Sequence, residues 1–472
     1  MKRLAALCAL LLLIPLASCQ RAASDQAPSG LGPADLGTRK EGQDWASFLG
    51  PNGDSTSTET GILTNWTGGR LKIAWQAEIG EGYATCAISK GRCFLFDRVG
   101  KEVRLRAVQS ESGQPLWEKR FSTNYVDQYG YDGGPRTAPV ADGERVYLYG
   151  ADGWLRCLTM NDGVLLWEKD LFNEYSVVPN FFGVGCSPVV ENDLLIVPVG
   201  GSPRGSNSQR IQDLKGDGSG LVAFDCKSGK ERWRLSDELA SYASPRIVAG
   251  ADGKRFGYWF ARGGLVAFDP VAGKQIYTFP WRARLIESVN ASTPVIVGNE
   301  VFLTECYGPG GILLKNGTAG GPQIVWSDKD KGRQQSMSSH WATPVFHDGH
   351  LYGCHSRHTG DAELRCVEWA TGTVKWRQRD LGRTSLLAVD GHLVILAEEG
   401  QLLLAKANPQ KFELVTTWEP KLGESQWTDK APSPLEYPAW AAPVLSHGLL
   451  YVRGKNRMVC LEAISAKPTG SR

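Results

Sequence analysis

An aromatic residue closing a short apolar stretch returns every 42 to 66 residues along the chain, at Trp75, Trp117, Trp167, Trp233, Tyr277, Trp326, Trp376 and Trp418. Self-similarity at such a period marks stacked or radially repeated supersecondary units, none of which buries its apolar face alone. The run before the aromatic repeats as LRAVQSESGQPLW, LRCLTMNDGVLLW, LVAFDCKSGKERW, LVAFDPVAGKQIY and LRCVEWATGTVKW. Two apolar stretches around a turn ending in Gly113, Gly163, Gly229, Gly273 or Gly372 read as an antiparallel pair, the glycine supplying the positive φ. A second hairpin precedes each pair, turning at Lys90-Gly91, Asp142-Gly143, Asn192-Asp193, Asp252-Gly253, Gly298-Asn299, Asp348-Gly349, Asp390-Gly391 and His447-Gly448. Each unit is therefore expected to hold four strands.

Small-residue–proline pairs mark where most units begin: Ala138-Pro139, Ser187-Pro188, Ser244-Pro245, Thr293-Pro294, Thr343-Pro344 and Ala442-Pro443. Proline at a strand's first residue costs no ladder bond. The last unit supplies only three strands, AAPVL, GLLYVRG and RMVCLEAI, while LKIAWQAEI near the start is a lone closing strand with its aromatic, Trp75. The N-terminal strand is thus expected to complete the last blade of an all-β, eight-bladed propeller of four-stranded antiparallel blades spanning residues 44–465. The eight aromatics are expected between neighbouring sheets rather than against a ligand. Cys157, Cys366 and Cys460 fall at the slot that Ala107, Ala223 and Ala267 fill in sister units, and read as small buried side chains.

This spacing and the LVAFD-x-x-x-G-K-x-x-W segments resemble the PQQ-like, or quinoprotein alcohol dehydrogenase-like, propeller repeats. The resemblance covers nearly all the chain after about residue 44 and implies a fold shared by enzymes and by propellers without a cofactor. DWASFLGPNGD resembles an opening of extracytoplasmic propellers of the same broad family, where it leads into the ring. The enzymatic members imply PQQ and Ca²⁺ near the axis, a carboxylate base, and oxidation of alcohols or sugars. This sequence has neither an adjacent Cys-Cys pair nor a CxxCH haem site.

Residues 1–19 join Lys2 and Arg3 to an apolar run from Leu4 to Leu16 and then Ala17-Ser18-Cys19. Too short to span a bilayer as a helix, the run reads as a secretory signal. It resembles a bacterial lipoprotein signal, which implies lipidation of Cys19. Gln20 after the cysteine implies the outer membrane, facing the periplasm. Residues 20–43 read as a flexible tether and 466–472 as a disordered tail. With 52 basic against 50 acidic side chains and no basic stripe, nucleic acid is not an expected partner.

If the ring holds a ligand, the residues just before the small-Pro pairs converge on it. The candidates are Asp132, Arg136, Tyr242, Glu287, Asn290, His340, Arg383 and Trp440, with Tyr83, Trp341 and Tyr437 beside them. Arginines grip acidic groups, Glu287 with Asn290 suits a hard cation, and His340 a proton. His347, His350, Cys354, His355 and His358 form a second cluster, read as turn and strand residues, and no metal site is assigned. Residues 201–220 are an insertion in the third unit, read as a lid or partner loop. The expected function is binding or scaffolding of envelope proteins by a monomeric, lipid-anchored propeller, as in a propeller lipoprotein of the outer-membrane barrel-assembly machinery. The alternative is a PQQ- and Ca²⁺-dependent dehydrogenase.

Overall fold

Short turns dictate the architecture. At Lys90-Gly91, Asp348-Gly349, Asp390-Gly391 and His447-Gly448 both central residues have positive φ, the turn geometry that matches strand twist. The computed structural model describes residues 32–207, 213–317, 321–418 and 435–466. Cys19 with its signal, residues 20–31 and the tail from 467 onward lie outside the described residues. From Pro33 onward the chain forms eight antiparallel sheets of four strands, one of which carries a fifth. Blade 1 comprises Ala87–Ser89, Arg92–Val99, Glu102–Gln109 and Pro115–Ser122. Blades 2 to 7 span 140–170, 189–235, 246–280, 295–327, 345–378 and 384–418 in the same order of strands.

Blade 8 takes Val444–Ser446, Leu449–Arg453 and Arg457–Glu462 from the end of the chain, and its fourth strand, Ile73–Glu78, from the beginning. That strand pairs antiparallel with Arg457–Glu462, setting Trp75 opposite Cys460 and Ala77 opposite Met458. The ring is thereby shut between blades 8 and 1. One apolar cluster runs across this seam, joining Trp45, Trp66 and Trp75 to Ile88, Leu396, Val444 and Leu461.

The repeat grammar has a packing cause. In blade after blade the register slips just before the aromatic, and the aromatic then faces a small residue of the third strand: Trp117 opposite Ala107, Trp167 opposite Cys157, Trp233 opposite Ala223, Trp376 opposite Cys366. A bulge re-aims the side chain. The ring then leans on the turn glycine of the next blade, where an added Cβ would come within 2.8 Å of Trp75 at Gly113 and 2.6 Å of Trp117 at Gly163. The indole N–H caps the same turn, Trp75 donating to Ser110 O at 2.7 Å and Trp326 to Trp369 O at 2.7 Å. The nine described cysteines are free.

A further inter-blade link lies in the small-Pro slot. Ala138 N–H donates to Ser187 Oγ at 2.9 Å, Ser187 N–H to Ser244 Oγ at 2.8 Å, and Thr293 N–H to Thr343 Oγ1 at 3.0 Å. Each hydroxyl satisfies a buried amide that the following proline leaves outside the ladder.

The segment expected as a tether is bound to the ring over its described part. Leu36 N–H donates to Lys90 O, Arg39 N–H to Glu111 Oε1, and the Arg39 guanidinium meets Glu462 at 3.4 Å. These partners sit at the turns and strand ends of blades 1 and 8, so residues 36–43 are held by the ring's turn face instead of running free. Of the insertion at 201–220, residues 208–212 lie outside the described part; its flanks join the second and third strands of blade 3.

A blind axial pocket as candidate functional site

Eight first strands begin around one axis, and the residues that enter them line a single cavity of about 520 Å³. Every blade contributes: Thr85, Arg136, Gly185, Tyr242, Ala291, Thr343, Ser385 and Ala442 stand at or just before their first strands. The loops that lead in from the preceding fourth strands add Tyr129, Phe182, Glu287, His340 and Trp440. A cavity of this size is of the order that holds a small molecule.

The sequence from Asp44 to Ser57 closes the other end. Trp45 O accepts from Ile88 N–H in blade 1 and Ala46 O from Ala141 N–H in blade 2. Arg246 of blade 4 donates to Asn52 O at 2.9 Å, and Thr56–Ser57 then adds to blade 7 as a parallel strand against Ala388 and Val389. The segment therefore passes beneath the pocket from one side of the ring to the other, and Phe48 and Leu49 form part of the lining. Its sharp course needs Gly50, at φ +86, where a Cβ would come within 2.8 Å of the Trp45 indole, and holds Leu49 and Ser55 at φ 61 and 58. The apolar Trp45, Phe48 and Leu49 beside two glycines were the signal for this plug; nothing in the repeat pattern pointed to it.

Aromatic rings and guanidiniums alternate around the wall. Arg136 stacks on Tyr83 and Phe182 and pairs with Asp127 at 2.8 Å. Arg383 lies over Trp341 and Trp440 at 4.6 and 4.8 Å, and is held from behind by the fully buried Glu398 at 2.6 Å. Arg357 covers Tyr307 at 4.8 Å, and no carboxylate lies within ion-pair distance of it among the described residues. Tyr307 Oη is 3.2 Å from His340 Nε2, while His340 Nδ1, Trp341 Nε1 and Thr85 Oγ1 are buried without a hydrogen-bond partner. Burial, with Arg383 and Arg357 nearby, pushes the His340 imidazole down to about 4, so it is neutral at pH 7.

Of the candidate residues, Arg136, Tyr242, Glu287, His340, Arg383 and Trp440 meet in the pocket, together with Tyr83 and Trp341. Asp132 and Asn290 do not line it. Asp132 accepts from Gly82 N–H and Gly134 N–H and so fixes the loop before blade 1's neighbour. Asn290 is buried with its amide donating to Ala261 O at 2.7 Å and within 3.4 Å of two further carbonyls. Tyr437 is exposed at the rim, edge-on to Trp440. Phe182, Tyr307 and Arg357 were not foreseen: Tyr307 and Arg357 follow second strands, far from any small-Pro pair, and Phe182 reads as an ordinary apolar loop residue.

The hard-cation pairing of Glu287 with Asn290 fails on this geometry: one is exposed in the pocket and the other is turned into the wall. Among the described residues no group of three His, Cys, Asp or Glu side chains converges as metal ligands, the histidines of blade 6 included. The pocket therefore does not bring Glu287 and Asn290 together as a pair of oxygen ligands for a hard cation.

Fold and pocket define a PQQ-like eight-bladed propeller. Residues 101–341, just over half of the chain, match the family model described as outer membrane protein assembly factor BamB, and the chain belongs to that family. Among solved structures it is similar to BamB from Moraxella catarrhalis, at 12% identity and TM-score 0.55 over 85% of this chain and 99% of that one. It is also similar to a quinohemoprotein alcohol dehydrogenase from Pseudomonas putida HK5, at 11% identity and TM-score 0.58 over 91% and 81%. Likeness at such identity carries the fold alone. No curated protein matches the chain.

Proposed function

We propose that this chain is an exported, envelope-anchored binding module that presents the pocket-bearing face of its ring to a protein partner. The observation that carries the reading is the rim. Val126, Tyr129 and Tyr131 before blade 2, Leu285 and Ile286 before blade 5, and Tyr437 before blade 8 are exposed apolar side chains, Val126 at 81%. Tyr129 and Tyr131 also line the pocket, and exposed apolar groups beside a cavity mark interaction sites. The described N-terminal segment keeps to the turn face and leaves this rim clear. Membership of the BamB family supports an envelope setting, and the signal-like residues 1–19 support export with Cys19 as the lipid anchor on the periplasmic side of the outer membrane.

A photo-crosslinking residue at Tyr131 or Ile286 should capture one and the same envelope protein in cells, while one at Lys227, on the turn face, should not. Val126→Asp with Ile286→Asp should abolish that adduct without lowering the melting temperature. Capture of that protein from Lys227 but not from the rim would contradict the assignment.

A further inference from the structure

We propose that the axial pocket binds a small organic monoanion with an apolar body, its acidic group seated at Arg357 beside Tyr307 and His340. The charge pattern points there. Arg136 and Arg383 are each compensated by a carboxylate, Asp127 and Glu398. Glu398 accepts in addition from Arg383 N–H and Trp440 Nε1, and Glu305, the other carboxylate near this side of the wall, is engaged by Ser288 Oγ, Tyr307 N–H and Gly308 N–H. Arg357 alone of the three pocket arginines has no ion pair among the described residues, although it is half-buried. A partly desolvated guanidinium gains most from a planar, bidentate acid.

Two unpartnered atoms stand beside Arg357, one a fixed donor and one whose role follows the tautomer of its ring. Trp341 Nε1 is a donor without an acceptor, and the neutral His340 ring has a free nitrogen at Nδ1. Buried polar atoms without partners are costly and call for a ligand group or water. Tyr83, Tyr129, Phe182, Trp341 and Trp440 supply an apolar wall, but Arg136 and Arg383 already cover several of those ring faces. That disfavours a cation stacked on the aromatics. Glu287, exposed in the same pocket, opposes a second negative charge. Because residues 44–57 close the floor, a ligand enters and leaves by the rim.

This inference is independent of the protein partner proposed above. Its test is calorimetric titration of the purified full chain with naphthalene-2-carboxylate and, in parallel, the neutral naphthalene-2-carboxamide. The acid should bind saturably and at least about tenfold more tightly than the amide, a difference of about 1.4 kcal/mol. Arg357→Gln should erase that preference while amide binding persists, which reports an intact pocket, and Arg357→Lys should restore part of it. Equal affinity for acid and amide, an unchanged preference in Arg357→Gln, or no saturable binding by the acid would each overturn the proposal.

Discussion

Two histidines set how this ring responds to acid. His340 in the pocket and His355 in blade 6 are both pushed down to about 4, first by burial and then by neighbouring arginines, Arg383 and Arg357 for one and Arg365 for the other. A base whose folded value lies below its unfolded one must take up a proton on unfolding, so its contribution is lost as pH falls from about 6.5 toward 4, by about 1.4 kcal/mol per pH unit for each histidine. His447 has the opposite sign. Its hydrogen bond to Asp44 raises it, so its contribution is complete below 6.5 and is lost as pH rises through the folded value. Urea unfolding between pH 6.5 and 5 should therefore show a steep loss of stability that is roughly halved in either His340→Phe or His355→Phe; a slope unchanged in both would contradict these assignments. The sequence made His340 a candidate from its place before a first strand, but its lowered value comes first from burial and then from Arg383 and Arg357, and neither the burial nor Arg357 shows a spacing signal.

At the scale of elements, the turn glycine and the preceding blade's aromatic form one joint. Gly113 and Gly391 share φ +70, yet a Cβ at Gly113 would meet Trp75 at 2.8 Å while nothing lies within 4 Å of one at Gly391. Gly391→Ala should cost about 1 kcal/mol for its backbone alone, and Gly113→Ala about 1–3 kcal/mol more for overpacking. Equal losses by chemical denaturation would show that the Trp75 ring moves aside freely. Ser187→Ala should cost about 1–3 kcal/mol, because it strands the Ala138 amide inside the ring. The hairpins, the aromatic closures and the proline starts were all legible, since each is a local requirement repeated around the ring, the first two eight times and the last six. The serine and threonine links were not. They join residues about fifty positions apart, and the sequence shows only a small residue before a proline. The plug at 44–57 escaped for a related reason: it occurs once, so no repeat reveals it, and its meaning depends on a ring already closed above it. The same holds for residues 36–43, whose polar composition suggests free chain although Glu111 and Lys90 hold them.

For the whole molecule, closure is the condition on which the pocket depends. Eight entering segments define a cavity only if blade 8 meets blade 1, and that contact rests on the strand Ile73–Glu78. A ring left open there would expose a free edge on Arg457–Glu462 and part the cluster around Trp75, Ile88 and Leu461. The near-neutral balance of 52 basic and 50 acidic side chains leaves recognition to local features such as the rim and Arg357. The double variant Ala77→Cys with Met458→Cys tests closure directly, because these residues are register partners and antiparallel partners sit within disulfide reach. On mild oxidation an intramolecular disulfide should join the peptides around residues 77 and 458 in monomeric protein, read by mass spectrometry; no such bond, or one found only between two chains, would contradict closure by this strand.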